Sequence, residues 1–446
     1  MNRKKSFFAS VCALAVPVAL QSMLQASFSI VDQIMIGQLG SVSVAGVGLA
    51  GKFASIYSVI VSAVGVVAGI MISQYLGQKN NREVRRSFYV NLLIALGLAG
   101  AFTLLCGGFP TQIMGLYTTD APMGQAAAAY LRIITATFLP IAGATLLSTL
   151  LRCMEKAQLP LYASIASAVL NTGLNYILIF GKLGLPAMGA SGAAIATVIS
   201  TWANFLLMLA MLGGNGAVLK NSGDSGKLGK FHLKQYLSML LPILACEFLW
   251  SLGENVYAAI YGHMGTDASA AMMLINPIQA LVIGALCGLS QAASVIIGKK
   301  LGSREYDEAY RDSWRLIRYG FFGAVILSAL VVLSSPMYVE IYQVDPAVKL
   351  LTRQILAAYA LVAPFKVLNM IAGGGIIRSG GKTNYVMYID MIGTWVFGVP
   401  LGLLSAFVWK LPIPYVYFLL SLEECVRFAI TVFILRGKRW MRSLEG

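Results

Sequence analysis

Histidine is almost missing from this chain, with two residues in 446, and only 11% of the residues are charged, against roughly 25% in a soluble domain. So little charge leaves no surface for water to wet. The 58% apolar content and mean hydropathy of +0.76 fit lipid as the solvent instead. Catalytic signatures are missing as well. There is no GxxxxGK[ST] phosphate loop, which excludes ATP hydrolysis by that route. HExxH, GxSxG and paired CxxC are absent too, so nothing supports an enzyme, a structural metal site or a bound cofactor. The six cysteines (Cys12, Cys106, Cys153, Cys246, Cys287 and Cys425) sit in or at the ends of apolar runs and read as small packing residues. His232 and His263 read as surface residues.

What the chain does have is long apolar runs. A bilayer core needs about 20 apolar residues per helix. Twelve candidate spans follow, at roughly 9–39, 45–76, 87–109, 122–152, 159–181, 188–213, 235–264, 268–299, 313–334, 347–378, 384–409 and 413–436. The first follows a basic start and imitates a signal peptide, but it is too long for one and is expected to be a span. The 33 Lys+Arg outnumber the 18 Asp+Glu, giving a net charge of +15. These bases crowd into alternate breaks, among them Arg3-Lys4-Lys5, Lys79–Arg86 and Lys299–Arg318, while the other breaks hold only Lys182, Lys349, Arg353 and Lys410. That asymmetry predicts a multi-pass protein of the bacterial inner membrane with both termini cytoplasmic, and it argues against a nucleic-acid partner.

The longest polar break, 214–234, is rich in Gly, Ser and Lys and falls at the midpoint. On either side of it the chain repeats. An offset of 225 aligns Pro17 with Pro242, Gly37 with Gly262, Gly40 with Gly265, and Leu76-Gly77 with Leu301-Gly302. At 226, Arg152 meets Arg378 and Lys156 meets Lys382; at 224, Pro140 meets Pro364. The expected architecture is all-α and transmembrane. An N-lobe (1–213, helices 1–6) and a C-lobe (235–446, helices 7–12) are joined by a cytoplasmic linker and related by a pseudo-two-fold along the membrane normal.

Acids inside apolar runs cost roughly 3 kcal/mol each on insertion scales, so each implies use or pairing. Six stand out: Asp32, Glu247, Glu254, Asp390, Glu423 and Glu424. Asn171 and Asn175 share one helical face, and a carboxylate beside two amides suits a proton or a small cation; an interhelical hydrogen-bonded cluster is the alternative. Glu247, Trp250 and Glu254 form an acid–aromatic–acid stripe that suits an organic cation, unless the acids are paired by Lys366 or Arg427. Asp390 reads as a second protonation site or a helix-pairing anchor, with Lys366 as an internal counter-ion. Glu423, Glu424 and Arg427 read as a structural ion network. In the repeat alignment Asp32 faces Tyr257 and Thr197 faces Glu423, so the lobes share a pattern but not its charges.

Pro17-Val-Ala-Leu-Gln through Ser29-Ile-Val-Asp32-Gln-Ile-Met-Ile-Gly37 resembles the first helix of the multidrug and toxin extrusion (MATE) family. Asn171-Thr-Gly-Leu-Asn175-Tyr is similar to its fifth helix and Gly189-Ala-Ser-Gly-Ala-Ala-Ile-Ala-Thr197 to its sixth. The second copy is similar at Glu247-Phe-Leu-Trp-Ser-Leu-Gly, Tyr261-Gly-His-Met-Gly, Ile376-Ile-Arg378-Ser-Gly-Gly-Lys382 and Leu422-Glu-Glu. The likeness covers essentially the whole chain and is nearest the bacterial DinF-like and NorM-like branches of the MOP flippase superfamily. It implies a V of two lobes, with Asp32, Asn171, Asn175 and Thr197 lining a cation-coupling site. It also implies H⁺- or Na⁺-coupled export of cationic or amphipathic small molecules by a monomer. The NorM branch carries an acid near the position of Lys366, so a Na⁺ site of that kind is not expected in the C-lobe, and Na⁺ near Asp32 is the candidate. A lipid-linked saccharide flippase and a non-transporting membrane binding protein are the alternatives.

Overall fold

The computed structural model describes residues 7–39, 41–118, 120–215, 233–342 and 344–444. Gly40, the basic N-terminal Arg3, Lys4 and Lys5, and residues 216–232, which hold His232 and most of the expected linker, lie outside the described residues. Within them the chain is helical, with no strand. The first half forms α1 (Phe7–Gly37), α2 (Ser41–Gly77), α3 (Asn81–Gly108), a short α4 (Pro110–Gly115), α5 (Ala121–Ile134), α6 (Phe138–Cys153), α7 (Gln158–Phe180) and α8 (Gly189–Asn215). The second half forms α9 (Leu233–His263), α10 (Thr266–Gly302), α11 (Tyr306–Glu340), α12 (Pro346–Asn369), α13 (Thr383–Met391), α14 (Val399–Leu403), α15 (Ile413–Ser421) and α16 (Glu423–Arg436).

Eleven described segments are long and apolar enough to cross a bilayer. The twelfth expected span is present as α15 and α16, of 9 and 14 residues, separated at Leu422. Large apolar side chains such as Leu93, Leu104, Met337 and Phe433 stay exposed, as a lipid-facing surface requires. α5 and α6 make one span through a 3₁₀ turn at Thr135–Thr137. The cause is Pro140, whose missing N–H leaves the Ala136 carbonyl without its helical partner. The Trp202 indole nitrogen donates to that carbonyl at 3.0 Å instead. α7 ends where Gly181 turns left-handed at φ +65°, a conformation that suits glycine, with its N–H on the Ile177 carbonyl.

The expected eleventh span departs from regular helix. α13 continues through π-helical turns at Ile392–Gly398 and Leu404–Val408, and α12 ends in another at Met370–Ile377. The turn at Ile392–Gly398 carries two glycines, Gly393 and Gly398, which make room for polar side chains. A Cβ on Gly393 would overlap the Arg427 side chain, and one on Gly398 would overlap the Tyr257 hydroxyl and the Glu423 carboxylate. Wide turns of this kind are common at functional sites.

The chain divides into two compact units. One takes the described residues of Leu20–Leu76 and Asn80–Phe231; the other takes those of Met1–Ala19, Gly77–Lys79 and His232–Gly446. In the first unit α7 packs along α8, and α6 packs against both α3 and α8. In the second, α11 packs along α12, and α10 packs against α12 and its π-helical end. The start of α1 joins the second unit through backbone-to-backbone contact, because Gly288 of α10 lies directly against the Ala15 carbonyl. Such close approach is the usual role of small residues between membrane helices.

Gly288→Ala is therefore expected to lower thermal stability in detergent by about 1–3 kcal/mol through overpacking. Gly97→Ala, where a Cβ meets nothing within 4 Å, is expected to be neutral or slightly stabilising. Equal melting temperatures for the two variants would refute the close packing at Gly288.

Candidate functional site

In the first unit the polar centre is built from α1, α7 and α8. Asn171 and Asn175 are one turn apart, and both face inward, at 8% and 1% exposure. The Asn175 amide donates to Asp32 Oδ1 at 2.7 Å. The Asn171 amide can present either end to Asp32. With its nitrogen toward the carboxylate it donates to both oxygens, at 3.0 and 3.1 Å, and its oxygen accepts from the Ser200 hydroxyl at 3.2 Å. With its oxygen toward the carboxylate it accepts from Asn175 at 3.2 Å and donates to Ser200 at 3.2 Å and Thr197 at 3.5 Å. An ionised carboxylate has no proton to give and selects the first arrangement; a protonated one can donate and is served by the second. Ser200 fits either, since its hydroxyl also reaches the Thr197 carbonyl at 3.0 Å.

The structure thus brings together Asp32, Asn171, Asn175 and Thr197, the four residues of the expected coupling site. It adds Ser200, which is buried, and Tyr130 of α5, which lies close enough to feel the Asp32 charge. Ser200 is three residues beyond Thr197 on the inward face of α8, so helical spacing was a usable signal for it. No sequence signal points to Tyr130. Among the described residues there is no group of three His, Cys, Asp or Glu side chains placed to hold a metal ion. The oxygen-rich cluster around Asp32 has the chemistry for a proton or a small hard cation.

The second unit holds a larger polar network. Arg427 pairs with Asp390, and also with Glu424 at 3.4 Å. Asn369 donates to the Glu424 carboxylate and to its backbone carbonyl, both at 2.8 Å. The Tyr257 hydroxyl donates to Glu423 at 2.5 Å. Glu247 is 3.8 Å from Arg378, and Lys366 is not the partner of either Glu247 or Asp390. Arg378, which caps the π-helical turn at the end of the tenth span, reaches α9 there and donates to Cys246. Cys246 is more than an apolar filler: its thiol donates to Asp390 at 2.6 Å and accepts from Arg378 at 3.3 Å.

A cavity of about 330 Å³ opens in this unit, lined by Glu254, Tyr257, Lys366, Glu423 and Glu424 with Tyr359 and Tyr417 among others. Glu247 and Trp250 do not line it, and Trp250 is 46% exposed. The cavity covers only the later turns of the α9 face, at residues 254, 257, 258 and 261, so the stripe read from the sequence extends beyond it. Lys366 shares the cavity with Glu254, Glu423 and Glu424.

The two halves carry the same bond chain at repeat-related positions. In the first, Arg152 donates to Gln21 at 3.0 Å, and Gln21 donates to Ser164 at 2.8 Å. In the second, Arg378 donates to Cys246, and Cys246 to Asp390. A MatE family model matches both halves, at residues 17–177 and 242–404. The chain belongs to the MatE family. Like its relatives it is a multi-pass membrane transporter. It is 27% identical over 410 residues to the probable multidrug resistance protein NorM of Pasteurella multocida, covering 87% of this chain and 84% of that one. It is 22% identical over 438 residues to the uncharacterized transporter YisQ of Bacillus subtilis, covering 97% and 95%. Its fold matches a crystal structure of MATE in complex with MaL6 at a TM-score of 0.88, with 18% identity and 96% and 95% coverage. An outward-facing multidrug resistance MATE transporter of the MOP superfamily matches at 0.87, with 17% identity and 97% and 96% coverage.

In this MatE chain a hydrogen bond to a charged carboxylate is worth about 1.5–3 kcal/mol. A double-mutant cycle of Asp32→Ala and Asn175→Ala, read by thermal unfolding in lipid, is expected to show coupling of that order. Additive losses would show that the two side chains are not bonded in the folded protein.

Proposed function

We propose that this MatE chain is a secondary exporter that exchanges a cationic or amphipathic organic molecule for H⁺ or Na⁺ by alternating access, with Asp32 as the coupling acid. The observation that carries this reading is the placement of Asp32. One carboxylate, bonded by neutral amides that are in turn bonded to hydroxyls, sits between apolar helices. When a proton or Na⁺ arrives, it cancels the charge and changes which end of Asn171 serves the site. The hydrogen bonds from α7 to α1 and from α7 to α8 then rearrange. A charge moving through 100 mV supplies about 2.3 kcal/mol, enough for roughly fiftyfold accumulation. The orientation follows the basic breaks, with both termini and the 214–234 linker in the cytoplasm of a bacterial cell, and with residues 1–213 and 235–446 as the two lobes. NorM relatives named for multidrug resistance favour an organic, drug-like substrate.

The test is ethidium efflux from proteoliposomes under a pH gradient or a Na⁺ gradient imposed separately. The wild type is expected to respond to one gradient, and Asp32→Asn to lose at least tenfold in gradient-driven rate. Wild-type efflux by Asp32→Asn would refute Asp32 as the coupling group. Rescue of a strain lacking its lipid-linked saccharide flippase would replace this reading with the flippase one.

A further inference from the structure

The C-lobe contains a second carboxylate placed like Asp32, on a different helix. We infer that Glu423, held by Tyr257, is a second proton-accepting site, the repeat-related counterpart of Asp32 and Thr197. The inference deepens the coupling reading above and rests on it for its role in transport, though the site stands on its own geometry.

Three observations converge on Glu423. The first is position. At the repeat offsets Tyr257 occupies the place of Asp32, and Glu423 the place of Thr197. The acid has therefore moved from the first helix of the lobe to the sixth, and the hydroxyl has moved the other way. In the second half the pair bonds directly, at 2.5 Å, joining the first and sixth helices of that lobe. The match extends to the neighbouring Arg152–Gln21–Ser164 and Arg378–Cys246–Asp390 chains, so it does not depend on one residue.

The second is the kind of partner. Asp390 and Glu424 both hold Arg427, and Glu247 holds Arg378. Protonating any of these strands a base in apolar surroundings, which is costly. Glu423 is 7% exposed, and its hydrogen-bond donor is a neutral phenol. Among the described residues no base lies within salt-bridge distance of it. It can gain a proton at Oε1, the oxygen Tyr257 leaves free, without breaking an ion pair. The groups that face it are Tyr257, Tyr261 and Glu254 of α9, Lys366 and Tyr359 of α12, Tyr417 of α15, and Glu424 and Arg427 of its own helix.

The third is access. Glu423 lines the cavity, so a proton has a route to it. The Tyr359 hydroxyl lines the same cavity, is 2% exposed, and has no hydrogen-bond partner among the described residues. A buried orphan hydroxyl of this kind marks a place where water or an ion completes the bonding. Gly398 keeps the space open, since a Cβ there would overlap both members of the pair.

The test is infrared difference spectroscopy of the full-length protein in lipid, stepped in pH. Protonation of a carboxylate shows directly as a carboxylic C=O band. Subtracting the Glu423→Gln spectra from wild type is expected to isolate one band, worth one protonatable group. Subtracting Asp32→Asn is expected to isolate a different one. Tyr257→Phe, which keeps the ring and removes the donor, is expected to shift the Glu423 band and leave the Asp32 band in place. Glu423→Gln titrating like wild type, or a band indifferent to Tyr257→Phe, would overturn the inference. If the Gln variant does not assemble, the Tyr257→Phe comparison alone decides. Loss of the Asp32 band without loss of ethidium coupling would sink the coupling reading and leave the second site standing.

Discussion

An ionisable side chain surrounded by apolar helices must be given a partner, because the bilayer offers no water to replace it. Most of the internal polar structure follows from that one constraint. Arg427 is shared by Asp390 and Glu424; Arg378 serves Glu247; Asn369 finishes Glu424. The wide turns of the eleventh span, with Gly393 and Gly398, exist where these side chains need room that a regular helix with Cβ atoms would deny them. The same constraint separates two classes of acid. Those bonded to arginine are fixed in charge. Asp32 and Glu423 are bonded instead to an amide and to a phenol.

Duplication explains how a single scaffold came to hold both classes. The two halves keep the prolines, the helix-ending glycines and the arginine at the end of the fourth and tenth spans. They differ in what fills the inward positions between. Where the first half has the neutral Gln21 and Ser164, the second has Cys246 and Asp390, and the added carboxylate has brought Arg427 with it. The first half is left with one acid among amides. The second has a dense ion network beside a tyrosine-lined cavity. A shared fold with unlike polar interiors suits a transporter whose halves have different tasks.

Hydropathy, basic asymmetry and the midpoint linker made the helical membrane architecture and its repeat legible, because lipid imposes length and composition on every span. Asp32, Asn171, Asn175 and Thr197 were legible through their order and spacing and their likeness to a family. Within the second half the Glu424–Arg427 pair, three residues apart, was legible in the same way, and the other partnerships were not. Spacing along α9 puts Glu247, Trp250 and Glu254 on one face, but it cannot say how far along that face a cavity runs. The partner of each acid comes from a distant segment: Arg378 for Glu247, Arg427 for Asp390, Tyr257 for Glu423. Lys366 shows the limit well, since any of three acids was open to it from the sequence, and the structure puts it in the cavity with Glu254, Glu423 and Glu424.

The sequence by itself determined the solvent, the approximate placing of the spans, the repeat and which acids fall inside apolar runs, because each of these is set locally, residue by residue, in apolar length or in charge. Only the tertiary structure decided which acid meets which base and which meets a neutral donor. Apart from Glu424 with Arg427, those pairings depend on helix rotation, on wide turns at Gly393 and Gly398 and on contacts between residues 37 to 166 positions apart, and no local pattern encodes them.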